Sequence, residues 1–463
     1  MTKLFGTDGM RGEAGTFPLD VATVETVGAS LAIHLRDKLG RAPQIVIGRD
    51  TRESGEWLEQ ALTAGAVKAG AHLKSAGVIT TPGVAFLART IPADAGIVIS
   101  ASHNAYSDNG IKIFAPSGRK LDEDTERLIE ADVFSAIDRT PRDVNHPPST
   151  NHSSLPAGMN VLENEEADLR TRYLCFLLNE IGRGLDLDGF KLVLDCANGA
   201  ASNLASELFV HLGANVKTIN DQPDGRNINL DCGSLHMDGL QHEVLKQNAD
   251  LGVAFDGDAD RSLFVDAKGQ LINGDATLWV LARYMHARHQ LPHDAVVATV
   301  MSNIGLELAL ESEGLRLVRT DVGDKYVLEE LLRLGASLGG EQSGHIIFPK
   351  LSLAGDGLIT TLALLRAMTE EAKALHELTA GLETFPQVLV NVAVKLKPPF
   401  AEVPVIQKAA QNIEAELGLR GRLLLRYSGT EPVARVMIEG ESQVEIEKHA
   451  RELAGLIQKN LGA

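Results

Sequence analysis

Three aspartates occupy alternate positions in one short segment of the sequence. Asp256, Asp258 and Asp260 directly follow the apolar run Leu251–Phe255. Carboxylates this close repel one another strongly unless a positive group lies between them, and oxygen ligands suit hard divalent cations. The spacing is not that of an EF-hand, which needs a longer loop and a further glutamate. An exposed acidic turn is the alternative, but the preceding apolar run favours a magnesium site.

A second polar segment contains a serine that could carry a phosphoryl group. Residues 100–104 read Ser-Ala-Ser-His-Asn and follow the apolar residues 96–99. A serine in a loop at the end of a strand can act as a nucleophile, which makes Ser102 a candidate; an ordinary turn serine is the alternative. Lys112 lies further on, between two isoleucines. It is either a solvent-exposed strand residue or, if a buried site lowers its pKa, a general base.

A glycine-rich segment at residues 339–345 combines side chains that suit a sugar. Glu341 and Ser343 offer hydrogen-bond acceptors and a donor at alternating positions, as a sugar with neighbouring hydroxyl groups requires. His345 is a candidate acid or base. A simple glycine-rich connector is the alternative for this segment.

Arginines and hydroxyl groups occur together near the end of the sequence. Arg426, Ser428, Gly429 and Thr430 lie within one short segment, and Arg435 follows it. Two guanidinium groups, two hydroxyls and a glycine N–H could together bind a phosphate.

The N-terminal loop, residues 6–12, places Arg11 among glycines. A flexible terminus is the alternative interpretation. The sequence contains neither a P-loop nor a dinucleotide-binding glycine pattern, so a nucleotide held in those ways is not expected.

These clusters must be positioned by the apolar, β-branched runs that precede several of them. Such runs occur at residues 44–47, 96–99, 191–194, 251–255 and 295–300. Continuous apolar character indicates burial on both faces, which is typical of mostly parallel strands covered by helices. Helical periodicity between the runs, such as Leu128, Ile129, Val133 and Ile137 after a capping Asp122, completes the pattern of an α/β protein. Ligands of such sheets bind beyond the carboxyl ends of the strands.

The length of 463 residues is too great for one hydrophobic core and predicts several domains. A Pro-, Ser- and Asn-rich linker is predicted at residues 141–156. We predict domains at 1–150, 157–255, 256–375 and 380–463. The last is expected to be an α+β unit with a strand at 388–394, a helix at 405–417, two strands around residues 428–430 and a closing helix.

Composition excludes several classes of protein. The net charge of −18 argues against a nucleic-acid partner, because phosphate backbones require excess Lys and Arg. Three cysteines without short paired spacing exclude a disulfide framework and a zinc site, and they fit a reducing compartment. The sequence begins without an apolar signal region and contains no run long enough to cross a membrane. We therefore expect a soluble cytoplasmic protein without a membrane partner.

Taken in order, the polar segments resemble those of the α-D-phosphohexomutase superfamily over nearly the whole chain. Residues 5–12, Gln342 and residues 354–357 are most similar to the bacterial phosphoglucosamine mutases within it. The resemblance implies a heart-shaped protein of four domains, in which three similar mixed α/β domains precede a smaller C-terminal α+β domain. The active site would lie at the centre, with one loop from each domain.

The resemblance also implies roles for the candidate residues. Ser102 would carry the phosphate and, with Asp256, Asp258 and Asp260, would hold one Mg²⁺. Arg11 and Arg261 would lie beside the phosphoserine. Lys112 and His345 would be acid or base candidates. The substrate would be bound by His103, Glu341 and Ser343 and, at its non-reacting phosphate, by Arg426, Ser428, Gly429, Thr430 and Arg435.

The implied reaction interconverts glucosamine 6-phosphate and glucosamine 1-phosphate through a 1,6-bisphosphate. Glucosamine or glucose 1,6-bisphosphate would serve as primer. A phosphomannomutase/phosphoglucomutase with the same mechanism is the nearer alternative, and a non-catalytic sugar-phosphate binding protein is the more distant one. Whether the protein forms a homodimer is left open.

Two positions depart from the pattern of the superfamily. Ala105 replaces a proline that usually follows the active-site His-Asn, which predicts a less rigid loop. Lys325 replaces an arginine that is common among the phosphoglucosamine mutases, so a bidentate phosphate contact there would be lost.

Overall fold

The computed structural model describes residues 3–6, 8–139, 162–428 and 431–462. They form two compact units, of which the first comprises residues up to 293 and 323–379, and the second comprises residues 294–322 and those from 380 onward. Among the helices in the described ranges, none is both long and apolar enough for a membrane span. The linker predicted at residues 141–156 lies outside these ranges.

The first sheet lies in the first unit, and two of its strands flank the serine segment. Its strands are β1 (Met10–Glu13), β2 (Gln44–Arg49), β3 (His72–Val78), β4 (Ala95–Ile99) and β5 (Asp108–Phe114). Its helices are α1 (Val21–Leu39), α2 (Glu53–Lys68), α3 (Thr81–Thr90) and α4 (Glu123–Arg139). The order is β1-β5-β4-β2-β3, and β2 runs parallel to both neighbours while β5 runs antiparallel to β4 and β1. The serine segment therefore connects two adjacent strands, β4 and β5.

Helix α4 begins as predicted, because Asp122 Oδ1 accepts a hydrogen bond from Thr125 N at 2.9 Å. Ile129 and Val133 are buried in the core of this sheet. Leu128 is 49% exposed, so its predicted place on the buried face is wrong. Adjacent residues of a helix face different directions, so Leu128 can face solvent while Ile129 packs against the core.

The second sheet, also in the first unit, positions the three aspartates. Its strands are β6 (Lys191–Asp195), β7 (Asn215–Ile219), β8 (Leu251–Phe255), β9 (Ser262–Asp266) and β10 (Leu271–Ile272). Helix α5 (Leu162–Phe176) packs against β3 of the first sheet, whereas α6 (Ala205–His211) and α7 (Asp238–Gln247) pack against the second. The order is β10-β9-β8-β6-β7, with β8 antiparallel to β9. The aspartates therefore occupy the turn between two strands of this sheet, β8 and β9.

Residues 274–378 contribute elements to both units. The first unit contains α8 (Gly274–Ala287), α10 (Asp324–Leu334), the antiparallel pair β13 (Gly339–Gly340) and β14 (Ile346–Ile347), α11 (Gly357–Glu371) and α12 (Leu375–Leu378). The second unit contains the parallel strands β11 (Ala295–Thr299) and β12 (Arg316–Thr320), together with α9 (Ile304–Ser312).

The end of the chain forms the predicted α+β arrangement in the second unit. Its elements are β15 (Gln387–Ala393), α13 (Pro404–Leu417), β16 (Arg422–Tyr427), β17 (Val433–Glu439) and α14 (Gln443–Leu461). The strands form an antiparallel sheet in the order β15-β17-β16, and Ile438, Ile446 and Ile457 are buried in its core.

All five apolar runs form buried strands, namely β2, β4, β6, β8 and β11, which confirms the α/β prediction. The first two sheets are mixed rather than mostly parallel, because each continues into antiparallel strands after its polar turn. The runs themselves pair in parallel wherever two of them are neighbours, as β2 with β4 and β6 with β8.

Candidate active site

The hydroxyl of Ser102 lies beside the aspartate turn. Ser102 is buried, and its Oγ donates a hydrogen bond to Asp256 Oδ2 at 2.6 Å. Its backbone has φ 53°, in the left-handed region that non-glycine residues rarely adopt. Such conformations persist where the surrounding structure holds them, which is common at functional sites. The structure therefore brings the predicted phosphoryl carrier and the predicted metal ligands together.

The three aspartates converge as their spacing predicts. One carboxylate oxygen from each of Asp256, Asp258 and Asp260 lies within 4.8 Å of the others, and all three residues are buried. Burial, then the charges of Asp260 and Asp258, raise the pKa of Asp256 well above its ordinary value. Asp258 Oδ1 and Asp260 Oδ1 are buried and have no hydrogen-bond partner among the described residues. Buried, unpartnered carboxylate oxygens fit a hard divalent cation.

His103 lies between the hydroxyl of Ser102 and the guanidinium of Arg261. His103 Nδ1 lies 3.2 Å from Ser102 Oγ and 3.2 Å from Arg261 Nη1. Burial, followed by the charges of Arg261 and Arg11, lowers the pKa of His103 to about 4, so its ring is neutral and can accept from Arg261. Arg11 contacts Asn104 Oδ1 at 3.4 Å in the same loop. A phosphoryl group on Ser102 would thus lie close to the positive charges of Arg261 and Arg11.

Lys112 is buried among carboxylates rather than exposed on its strand. Its Nζ lies 2.9 Å from Asp258 Oδ2, 3.4 Å from Asp260 Oδ2 and 3.3 Å from Asp8 Oδ2. Burial alone would lower the pKa of Lys112, but these carboxylates outweigh it and raise the pKa well above its ordinary value. The exposed-strand alternative is therefore wrong, and the lowered pKa expected of a base is not found. The protonated amine suits proton donation and charge neutralisation.

His345 is buried against the aspartate cluster, with Nδ1 3.7 Å from Asp260 Oδ1. Burial alone would lower the pKa of His345, but the carboxylates of Asp260 and then Asp324 outweigh it and raise the pKa to about 9. The ring packs so closely on Gly355 that an added Cβ there would lie 2.4 Å from Nε2. Asp356 caps α11 by accepting from Leu358 N at 2.9 Å. The Ala-Gly-Asp-Gly segment at 354–357 therefore has a physical role in seating His345.

The predicted sugar-binding segment forms the turn between β13 and β14. Glu341 and Ser343 are half-buried, and Ser343 Oγ lies 3.5 Å from Glu341 Oε2. Gln342 instead donates through Nε2 to Asp275 Oδ2 on α8 at 3.1 Å. Glu341 and Ser343 thus remain candidates for contacting a sugar, whereas Gln342 anchors the turn.

A cavity of about 500 Å³ adjoins these groups in the first unit, and Lys112, Asp260 and His345 contribute to its lining. Lys120 Nζ, also in the lining, contacts Asp8 Oδ1 and Asp324 Oδ2 at 2.7 Å each. Lys325, the position that departs from the common arginine, pairs instead with Glu123. A volume of this order is typical of small-molecule sites.

The second unit contains the predicted phosphate-binding arginines. Arg426 and Arg435 are direct cross-strand partners on β16 and β17, where like charges are destabilising. Burial, and then the charge of Arg435, lowers the pKa of Arg426. Arg435 Nη2 donates to Glu431 Oε2 at 3.1 Å, and Glu431 N donates to Ser428 Oγ at 3.2 Å. Two predicted members lie outside the described residues: Gly429 and Thr430.

Sequence models of four domains match successive parts of the chain. They are the phosphoglucomutase/phosphomannomutase α/β/α domain I at residues 2–139, domain II at 172–269, domain III at 273–385 and the C-terminal domain at 389–456. The chain belongs to the phosphoglucomutase/phosphomannomutase family. It therefore contains the three α/β/α domains and the C-terminal domain of that family.

Relatives from this family cover nearly all of the chain. A phosphoglucosamine mutase from Solibacter usitatus is 47% identical, over 99% of this chain and 99% of that protein. The crystal structure of a family member from Burkholderia thailandensis has a TM-score of 0.77 at 24% identity, covering 99% of this chain and 98% of that one. N-acetylphosphoglucosamine mutase from Aspergillus fumigatus, in complex with GlcNAc-6P and magnesium, has a TM-score of 0.61 at 19% identity, covering 94% and 97%.

Sequence reasoning missed several residues that this family member uses to build the site. Asp50 and Arg52 are fully buried beside the serine loop, and Thr81 Oγ1 donates to Asp258 Oδ2 at 2.6 Å. Asp8 contacts Arg11 and Lys112. Asp50 and Arg52 could have been found, because they directly follow the apolar run of β2, just as the recognised clusters follow theirs.

Proposed function

We propose that the protein is a phosphoglucosamine mutase, which interconverts glucosamine 6-phosphate and glucosamine 1-phosphate in the cytoplasm. The observation that carries the proposal is the 2.6 Å contact of Ser102 Oγ with the aspartate cluster, close to Arg261 and His103. The phosphoglucosamine mutase 47% identical to this chain supports the choice of substrate.

Phosphorylated Ser102 donates its phosphoryl group to the free hydroxyl of the sugar monophosphate. The sugar oxygen–phosphorus bond forms as the Ser102 Oγ–phosphorus bond breaks. A protonated residue of the site gives its proton to the departing Ser102 Oγ and then takes up the proton that the sugar hydroxyl loses, giving a 1,6-bisphosphate. After the sugar reorients, the bond between Ser102 Oγ and the other phosphorus forms as the bond from that phosphorus to the sugar oxygen breaks. The site takes up the Ser102 proton and returns a proton to the sugar oxygen. Lys112 and His345 are the proposed proton-transfer residues, because both lie against the aspartates beside Ser102.

Positioning and charge neutralisation together supply most of the catalysis in phosphoryl transfer. Asp256, Asp258, Asp260 and an oxygen of phosphorylated Ser102 would hold Mg²⁺, which when bound would neutralise part of the charge on the transferring group. Arg11 and Arg261 bind and orient the phosphoserine in this proposal. Arg426, Ser428, Gly429, Thr430 and Arg435 are proposed to bind the phosphate that does not react.

Glu341 is proposed to distinguish the amino sugar, since a carboxylate favours an ammonium group over a hydroxyl. The half-buried Glu341 carboxylate accepts from Gly323 N at 3.1 Å and lies 3.5 Å from Ser343 Oγ, so its position in the turn is fixed. The Gln342 amide instead donates to Asp275. Glu341 rather than Gln342 should therefore set the preference for glucosamine phosphate.

A coupled assay with glucosamine, glucose and mannose 6-phosphates tests the proposal, with Mg²⁺ and a trace of glucose 1,6-bisphosphate present. We expect the highest kcat/KM for glucosamine 6-phosphate. Glu341→Gln should reduce that preference, while Gln342→Met, the control, should keep it. Equal or reversed preference in the unmodified protein would favour a phosphomannomutase/phosphoglucomutase, and binding without turnover would favour a sugar-phosphate binding protein.

A further inference from the structure

One arginine is committed entirely to the loop that carries Ser102. The Arg52 side chain is completely buried, and its guanidinium uses every N–H it has. Nε donates to Asp50 Oδ2 at 2.9 Å. The Nη groups donate to four backbone carbonyls of the loop: Ser102 at 3.0 Å, Asn104 at 2.9 Å, Asp108 at 3.0 Å and Ala105.

The same pair of residues also reaches the amide of Ser102. Ser102 N donates to Ser100 Oγ at 2.9 Å, and Ser100 Oγ donates to Asp50 Oδ2 at 2.7 Å. Asp50 is fully buried and accepts from Arg52 through both its oxygens. The N–H and the C=O of Ser102 are therefore both tied to one buried ion pair, through a closed set of hydrogen bonds.

This arrangement explains how a serine keeps a costly backbone conformation. Ser102 has φ 53°, and a non-glycine residue in this region is stable only when its neighbours hold it there. The rigidity that a proline at position 105 would supply is absent, but Arg52 binds the carbonyl of Ala105 itself. Asn229 Nδ2 adds a second donor to the Ser102 carbonyl at 2.9 Å.

We propose that Arg52, with Asp50 and Ser100, is the positioning device of the nucleophile: it holds Ser102 in the conformation that directs Oγ at the aspartate turn. The inference rests on the proposed function, since it assigns Ser102 the phosphoryl transfer. The partners of the Arg52 guanidinium are Asp50 and the loop carbonyls rather than Asp256, Arg11 or Arg261, so its effect passes through the loop backbone. A lysine could not reproduce it, because one ammonium cannot span four carbonyls and a carboxylate.

The test compares Arg52→Lys with Arg49→Lys. Arg49 is the matched control, because it lies at the end of β2 just before Arg52, pairs with Glu59 at 2.9 Å and donates to none of the loop carbonyls that Arg52 binds. Each dephosphorylated protein is mixed with glucose 1,6-bisphosphate, and transfer to Ser102 is followed by rapid quench and intact-mass analysis. Affinity for the bisphosphate is measured by calorimetry with Ser102→Ala added in each background to prevent turnover.

We expect transfer in Arg52→Lys to be slower by about 100-fold, the scale of a misplacement near 1 Å, with bisphosphate affinity changed less than about threefold. Arg49→Lys should transfer at the normal rate. A normal rate in folded Arg52→Lys would overturn the proposal, as would equal slowing in both variants. If Arg52→Lys does not fold, Ser100→Ala gives the answer: slowed transfer at normal affinity supports the proposal, and a normal rate overturns it.

Hydrogen exchange separates this inference from the proposed function. Peptides covering residues 100–110 should exchange faster in Arg52→Lys and Ser100→Ala, and normally in Arg49→Lys. If the unmodified protein never accepts phosphate on Ser102, the proposed function fails, and the exchange result still decides whether Arg52 holds the loop. Unchanged exchange in folded Arg52→Lys and Ser100→Ala would overturn the positioning role whatever the activity.

Discussion

The hydroxyl of Ser102 lies where acidic and basic groups meet. It donates to Asp256, and its neighbour His103 accepts from Arg261. In this setting the hydroxyl proton has an acceptor, and a phosphoryl group on the same oxygen would have cations nearby. Burial beside two other carboxylates disfavours the ionised form of Asp256, so a positive group at this point would stabilise that form.

Removing this hydroxyl tests the mechanism directly. Ser102→Ala should be inactive to within about one part in a thousand and should not be rescued by glucose 1,6-bisphosphate, because no oxygen is left to accept phosphate. Intact-mass analysis should show one phosphoryl group on the unmodified protein and none on Ser102→Ala. Ser117→Ala, which changes an exposed serine on a nearby turn, should keep both activity and phosphorylation. Near-normal turnover of Ser102→Ala would rule out the mechanism.

At the scale of elements, helices α1 and α2 pack at unusually close range. A Cβ on Gly28 of α1 would lie 2.1 Å from the carbonyl oxygen of Leu62, and one on Gly65 of α2 would lie 1.9 Å from that of Glu25. The two helices therefore meet backbone to backbone, and this contact supports the sheet that carries the serine loop.

The same substitution should have opposite effects at two helical glycines. Gly28→Ala should lower the free energy of unfolding by about 1–3 kcal/mol, because the added methyl group must displace α2. Gly455→Ala, at an exposed position of helix α14 where nothing lies within 4 Å of the added Cβ, should raise it by about 1 kcal/mol through helix propensity. Thermal midpoints of the two variants measure both effects. Shifts of the same sign would contradict the close packing of α1 on α2.

At the scale of the whole molecule, a net charge of −18 coexists with a site in which carboxylates are concentrated as well as cations. Several of the basic side chains, including Arg11, Lys112 and Arg261, lie in or beside the site. Asp258 Oδ1 and Asp260 Oδ1 nonetheless accept no hydrogen bond from the described residues, so the folded protein should gain stability from a divalent cation.

Magnesium should raise the melting temperature of EDTA-treated protein and restore its turnover. A ligand that binds only the folded state stabilises it by about 2.7 kcal/mol at 100 times its Kd. Asp258→Asn should abolish both effects, since it removes a ligand oxygen and weakens the contact with Lys112. Asp238→Asn, at an exposed position of α7, should respond like the unmodified protein. A full response to magnesium in Asp258→Asn would contradict the metal assignment, and activity that survives EDTA would do so too.

The sequence alone determined the features that depend on neighbouring residues. Apolar runs predicted the buried strands, and the polar clusters after them predicted the positions of Ser102 and the three aspartates. The order of elements in the last domain was also predicted, because each has its own local pattern. The predicted domain boundaries, the homodimer question and the roles of individual site residues stay predictions.

The tertiary structure decided what depends on contacts between distant parts of the chain. The position of Asp50 and Arg52 after an apolar strand marks them as candidate site residues. Their contact with the serine loop joins segments about 50 residues apart, so only the folded protein shows it. Lys112 looked like an exposed strand residue, but Asp258, far along the chain, neutralises it in a buried site. Burial and charge pairing belong to the folded arrangement, because a side chain's environment is set by whichever segments pack around it rather than by its neighbours in sequence.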